Sequence, residues 1–166
     1  MAFGFFKKKK KVESTDSRFL NLTIKEVIQE TADAVSLVFE EPESGKLNYK
    51  PGQFITLILT INGKKIRRAY SLSSSSYLGE NPTITIKRVE GGIMSNHINS
   101  NLKAGDKIEI MEPMGSFTTE ISSDNKRHVF LVGGGSGITP LLSIAKSILS
   151  QESNSKVSLI YANQNE

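Results

Sequence analysis

Arg68, Tyr70 and Ser71 fall within the stretch Arg67–Ser73, which follows an Asn62-Gly63 turn. In an extended strand, alternation puts Arg68, Tyr70 and Leu72 on one face and Ala69, Ser71 and Ser73 on the other. A guanidinium can fork onto a phosphate through two parallel hydrogen bonds, and a phenol ring offers a flat apolar surface to a fused ring system such as a flavin. The adjacent hydroxyl could donate to a reactive ring nitrogen. The same spacing also describes an exposed arginine edge with a tyrosine in the core, and the residues alone leave both readings open.

A second stretch runs Lys87-Arg88-Val89-Glu90-Gly91-Gly92-Ile93-Met94-Ser95-Asn96. It reads as a strand end passing through two glycines into a short helix with Ser95 in its first turn. Backbone N–H groups at such a helix start, unobstructed by side chains, favour a phosphate, although two glycines before a helix are common. His97 on that helix reads as a surface or packing residue. The third stretch is Gly133–Pro140, with Gly135, Gly137, Thr139 and Pro140 between an apolar run and a helical pattern. The glycines let a pyrophosphate approach the backbone, and the helix start supplies a favourable field. Proline stands where the common dinucleotide fingerprint has glycine, and it suits a first helical turn. Glycines serving only tight packing are the alternative here.

Composition excludes several chemistries. The sequence has no cysteine, so this chain alone forms no disulfide, cysteine-ligated zinc site or iron–sulfur cluster. Two histidines without a carboxylate cluster give no reason to expect a catalytic metal. No run of eighteen apolar residues suggests a membrane span. The net charge of +4 includes the run Lys7–Lys11, and removing those five lysines leaves −1. A basic balance confined to one tail does not argue for nucleic acid. Residues 1–17 read as a solvated, disordered leader; Phe3, Phe5 and Phe6 beside the lysines could instead touch a membrane surface, which is the weaker expectation. A cytoplasmic protein is expected.

The elements that must position these groups follow from periodicity. Between Phe19 and Phe117 the apolar residues alternate, as in Leu20/Leu22/Ile24, Val35/Leu37/Phe39, Ile55/Leu57/Leu59, Ile84/Ile86 and Ile108/Ile110. With the Arg67–Ser73 strand, about six short strands divided by turn signals predict a small closed antiparallel barrel, interrupted by a helix over about 94–101. Ser73–Ser76 reads as a polar loop. After Asp124 the pattern changes. His128–Val132 is a continuous apolar run, expected for a parallel strand buried on both faces. The helix that follows points Leu141, Leu142, Ile144, Ala145, Ile148 and Leu149 inward and Ser143, Lys146, Ser147 and Ser150 outward. Val157–Tyr161 is a second strand. Two parallel strands cannot bury both faces of a sheet, so a longer parent extending beyond residue 166 is expected.

Taken in order, Arg68/Tyr70/Ser71, Gly92/Ser95 and Gly135/Gly137/Pro140 resemble the three signature blocks of the ferredoxin–NADP reductase superfamily, from about Phe19 to Asn163. Within it the chain is most similar to reductase components of bacterial multicomponent oxygenases, the phenylacetyl-CoA oxygenase reductase type in particular. The resemblance implies a mainly β fold: a six-stranded antiparallel Greek-key FAD-binding barrel over 18–122, then the first βαβ portion of an NAD(P)-binding domain over 126–166. It implies that Arg68 holds the FAD pyrophosphate, Tyr70 stacks on the isoalloxazine and Ser71 sits near its N5, the latter two as the catalytic pair. Lys87, Arg88 and Val89 would follow the flavin and ribityl chain, and Gly92, Met94 and Ser95 would surround the phosphates. Gly135, Gly137, Thr139 and Pro140 would receive the nicotinamide nucleotide. The implied activity is an NAD(P)H-dependent flavoprotein reductase delivering electrons to an oxygenase component or an iron–sulfur partner, with any 2Fe–2S cluster in a part beyond this chain. Competence of this piece alone is not implied, because family residues nearer the C-terminus are missing. No Arg or Lys follows Lys156, which favours NADH over NADPH. A flavin-binding relay subunit without turnover and a plain β-barrel interaction module are the rival readings.

Overall fold

A computed structural model describes residues 18–163, so the leader over 1–17 lies outside the described residues. Six strands form one antiparallel sheet: β1 (Phe19–Thr31), β2 (Ala34–Phe39), β3 (Phe54–Ile61), β4 (Lys64–Ser71), β5 (Thr83–Lys87) and β6 (Lys107–Met114). Their order is β4-β3-β6-β1-β2-β5. The sheet curls until its two end strands meet at a single bridge, Leu72 to Ile84. The alternating residues read from the sequence line the interior, with Leu37, Phe39, Ile55, Leu57, Ile84 and Ile110 fully buried. Burying such a side chain contributes about 1.5–3 kcal/mol each, so the period-two pattern and the curl are one fact. The β3–β4 hairpin turns on Asn62 (φ 51°) and Gly63 (φ 73°), the left-handed pair that matches strand twist.

Helix α1 (Ile93–Asn101) plugs the barrel with Met94 and Ile98, 3% and 0% exposed. Beyond the barrel, β7 (His128–Gly134) and β8 (Lys156–Ala162) pair in parallel. A 3-10 turn (Gly135–Gly137) and helix α2 (Ile138–Gln151) connect them. Two expectations about this second part need correction. Strand β7 is covered on one face only: Leu131 is buried beneath α2, while Phe130 and Val132 are 63% and 68% exposed. The reason is that β7 pairs with β8 alone and, among the described residues, nothing packs on the other side. The second correction concerns α2, where Ser143 and Ser147 are fully buried and Leu142 and Leu149 are exposed. The helix has two neighbours, with Leu141, Ile144 and Ile148 against β7 and β8 and the serines against the barrel loop Ser73–Ser75, itself buried.

Candidate functional site

The bridge at Leu72 closes the barrel at one point and leaves it open beyond. Strand β4 pairs with β3 along its whole length, from Lys64 to Ser71, but has no ladder with β5. Extending the Leu72–Ile84 register sets Tyr70 level with Ile86 and Arg68 level with Arg88. The result is an open slot flanked by two strand edges, where backbone groups lack sheet partners among the described residues. Asn99 of α1 reaches across part of it, donating from Nδ2 to the Ile86 carbonyl at 3.2 Å.

Three of the residues singled out in the sequence sit on the β4 side of this slot. Arg68 is exposed, and among the described residues its side chain makes one hydrogen bond, Nη1 to the Arg67 carbonyl at 2.8 Å. Its remaining donors can therefore fork onto a phosphate. Tyr70 is half-buried, opposite the fully buried Ile55, with its ring against the barrel core. Burial pushes the phenol above its ordinary value and the Arg68 charge opposes this, so the ring is neutral at physiological pH. Ser71 lies opposite Phe54.

The end of β5 is built around the start of α1. The Val89 amide donates to Ser95 Oγ at 3.2 Å, Asn96 Nδ2 donates to the Val89 carbonyl at 3.0 Å, and the Gly92 amide donates to the same carbonyl at 2.9 Å. A Cβ on Gly92 would lie 2.5 Å from Ser95 Oγ and 3.0 Å from the Val89 carbonyl, so only glycine fits. The Ser95 hydroxyl thus holds the loop, and Met94 is committed to the core. What Ile93, Met94 and Ser95 can offer a phosphate is their first-turn amides, for which the cap residue Gly92 supplies no side chain. Gly91 has open space above it at φ 67°. Arg88 turns to α1, donating from Nη1 to Ser100 Oγ at 3.0 Å, and Val89 is exposed. The donor set and the bare loop fit a diphosphate and a ring lying along the slot.

The third block faces a different space. A cleft of about 1070 Å³ opens between the β1–β2 hairpin with β5 on one side and the start of α2 on the other. It is lined by Lys87, Gly135 and Thr139 from the residues singled out, together with Ser136, Ser73 and Tyr161. Gly135 (φ 52°) and Gly137 have nothing within 4 Å of a built Cβ, so the backbone there is approachable. Gly133 is the packing glycine of the set, because its Cβ would strike Leu141 Cδ1 at 2.6 Å. Pro140 lies in the first turn of α2, and Thr139 Oγ1 donates to the Ser136 carbonyl at 3.0 Å. Lys87 is held 3.4 Å from Asp33, whose carboxyl lies below its ordinary value. The Thr31 hydroxyl is the main cause, with partial burial opposing it and Lys87 assisting. Arg68, Tyr70, Ser71, Arg88, Val89, Gly92, Met94, Ser95, Gly137 and Pro140 are not on the walls of this cleft. The molecule thus has a slot and a cleft, joined through β5 and the Leu72–Ser74 segment. Sequence reasoning missed Tyr161, which donates from its hydroxyl to the Gly135 carbonyl at 3.0 Å; its position at the end of a parallel strand was the available signal.

Comparison with known proteins finds two families along the chain. Residues 13–119 match the family described as the oxidoreductase FAD-binding domain, and residues 131–166 match the oxidoreductase NAD-binding domain. The ferredoxin reductase component of a 3-ketosteroid-9-alpha-monooxygenase from Rhodococcus rhodochrous is 44% identical over 154 residues, covering 90% of this chain and 42% of that protein. One component of the Escherichia coli 1,2-phenylacetyl-CoA epoxidase is 34% identical, covering 88% of this chain and 41% of its own length. Among solved structures, the flavohem-like FAD/NAD-binding domain of the Vibrio cholerae nitric oxide dioxygenase superposes with a TM-score of 0.78 at 30% identity, over 89% of this chain and 64% of that one. The chain therefore spans less than half the length of these curated relatives.

Proposed function

The chain belongs to the oxidoreductase FAD-binding domain family, and on that premise we propose that it is the flavin-binding part, with the opening of the nicotinamide-nucleotide part, of an NAD(P)H-dependent reductase. In the whole protein, electrons pass from the nicotinamide nucleotide through FAD to an iron–sulfur centre or an oxygenase component. The carrying observation is the unpaired β4–β5 slot, which has an uncommitted guanidinium at Arg68 on one edge and the bare helix start at Gly92 by the other. Residues 18–122 form the flavin unit and 126–166 the nucleotide unit in this reading.

Arg68 and the first-turn amides of α1 hold the diphosphate, Tyr70 supplies the stacking surface, and Ser71 presents its hydroxyl to the ring edge. Arg88 and Val89 border the ribityl chain, while Lys87, expected beside them, faces the cleft with Asp33. Gly135 and Thr139 receive the nicotinamide nucleotide in the large cleft, with Gly137 and Pro140 shaping the helix start behind them. Bound FAD supplies the exchange between two-electron and one-electron chemistry that no side chain of this protein offers. The side chains bind, orient and exclude water, and no acid, base or metal ligand is required of them. The relatives named as a reductase component of a monooxygenase and as part of an epoxidase support an oxygenase-type acceptor. The cytoplasm is the compartment this reading assigns.

The test is the absorption spectrum of the purified chain after incubation with FAD and desalting, with the released cofactor identified and the sample then titrated anaerobically with NADH and NADPH. A yellow protein releasing FAD is the expected result, and bleaching by either nucleotide would show that this piece carries a competent nucleotide site. A chain that takes up no FAD overturns the reading. Stable yellow colour that neither nucleotide bleaches marks a flavin-binding relay without turnover of its own.

A further inference from the structure

Buried serines join the two units. Ser143 Oγ of α2 donates to the Ser74 carbonyl at 2.6 Å, and Ser147 Oγ donates to the Ser143 carbonyl at 2.7 Å. Ser147 has then spent its only proton, so the 2.8 Å contact between Ser75 Oγ and Ser147 Oγ has Ser75 as donor. All four residues are at most 1% exposed. Glu80 closes the rim, accepting the Ser75 amide at 2.8 Å and Lys146 Nζ at 3.1 Å. Nearby, a Cβ on Gly52 would meet the Phe117 carbonyl at 2.0 Å and Ile144 Cδ1 at 3.1 Å, so barrel turn and helix are in tight contact.

An apolar interface can slide and repack, whereas directional hydrogen bonds between dry hydroxyls and carbonyls admit one alignment. This seam lies between the two cofactor elements. Ser74 is three residues beyond Ser71 on the chain leaving β4, and Ser143 is one helical turn beyond Thr139. We propose that Ser143, Ser147 and Ser75 are positioning residues that fix the Gly135–Thr139 loop in register with the β4 strand, setting where a nicotinamide ring stands relative to a flavin without contacting either. The functional half of this inference rests on the reading given above; the mechanical half does not.

The experiment compares the chain with Ser143→Ala/Ser147→Ala, using Ser150→Ala, an exposed position on the same helix, as control. Amide hydrogen exchange over residues 135–142 is followed in the cofactor-free protein. The double variant is expected to exchange at least about tenfold faster there, with the barrel amides and the control unchanged. Exchange equal to the starting protein overturns the proposal, and so does loss of protection throughout the barrel, since that marks a merely structural seam. In the FAD-loaded protein, NAD+ is titrated against flavin absorbance and ADP-ribose affinity is measured separately. The double variant is expected to keep ADP-ribose and FAD affinity within about twofold while the NAD+-induced flavin difference spectrum collapses, since that spectrum requires the two rings to be stacked in contact. A full difference spectrum in the variant overturns the proposal. If the starting chain takes up no FAD, the reading above has failed, and the exchange measurement alone decides whether the seam holds the loop.

Discussion

At Arg68 the structure separates a binding role from a folding role. The side chain is exposed and, among the described residues, makes one hydrogen bond, to the carbonyl of its own neighbour, so removing it leaves no described group buried and unpaired. Arg68→Ala should weaken FAD retention by about 1.5–3 kcal/mol, the range for a charge-assisted hydrogen bond, while the denaturant midpoint of the barrel stays put. FAD affinity equal to that of the starting chain, read by flavin fluorescence, would remove Arg68 from the site. Gly92 makes the opposite case. A methyl there would press against Ser95 Oγ and the Val89 carbonyl, one of them backbone, so Gly92→Ala should destabilise by about 1–3 kcal/mol and loosen the helix start that awaits a phosphate. Equilibrium unfolding and FAD binding should both register it; a change in neither would mean that the loop tolerates a side chain.

At the scale of elements, much was legible and the failures have physical causes. The alternating isoleucines and leucines gave the barrel strands because each has a single buried face, and Asn62-Gly63 gave the hairpin because few other pairs take two positive φ angles. Helix α1 begins one residue earlier than expected, at Ile93. What periodicity did not reveal is a helix with two unlike neighbours. Ser143 and Ser147 are polar, so helical spacing assigned them to solvent, although their i, i+4 spacing and the serine run Ser73–Ser75 were the available clue. Strand β7 misled for the reverse reason, because an apolar run reports the capacity to be covered and not the covering. The plug is a direct test of the barrel: Ile98 is fully buried in its interior, so Ile98→Ala should cost about 2–5 kcal/mol in urea unfolding. A cost below about 1 kcal/mol would show that α1 is peripheral to the core.

For the whole molecule, the joint between barrel and nucleotide unit is electrostatic as well as hydroxylic. Arg127, at the start of the nucleotide unit, donates from Nε and Nη2 to Glu152 at 3.0 and 2.7 Å and from Nη1 and Nη2 to Thr119 Oγ1 and the Glu120 carbonyl of the barrel unit at 3.0 and 2.8 Å, and Asn125 Nδ2 on the connecting segment donates to Glu152 at 2.8 Å. Burial works against the Glu152 charge, but the hydrogen bonds from Arg127, Asn125 and Ser155, with the Arg127 charge, outweigh it and hold the carboxyl at about 2, against an ordinary 4.5. A depressed folded-state value means stability that is complete above pH 4.5 and lost as the pH falls through about 2. The thermal midpoint should therefore decline across that window, and Glu152→Gln should flatten the decline while lowering the midpoint at neutral pH, where Arg127 loses its charged partner. Identical acid profiles for the two proteins would dismiss the pair as a clamp. The one-sided sheet has a different consequence. Phe130, Val132 and Ile160 present an apolar plane on which nothing packs among the described residues, and such planes favour self-adhesion. Concentrated samples should scatter light increasingly with protein concentration, more strongly in sulfate buffers than in dilute chloride, and handling at the bench will be governed by that plane before any question of redox chemistry arises.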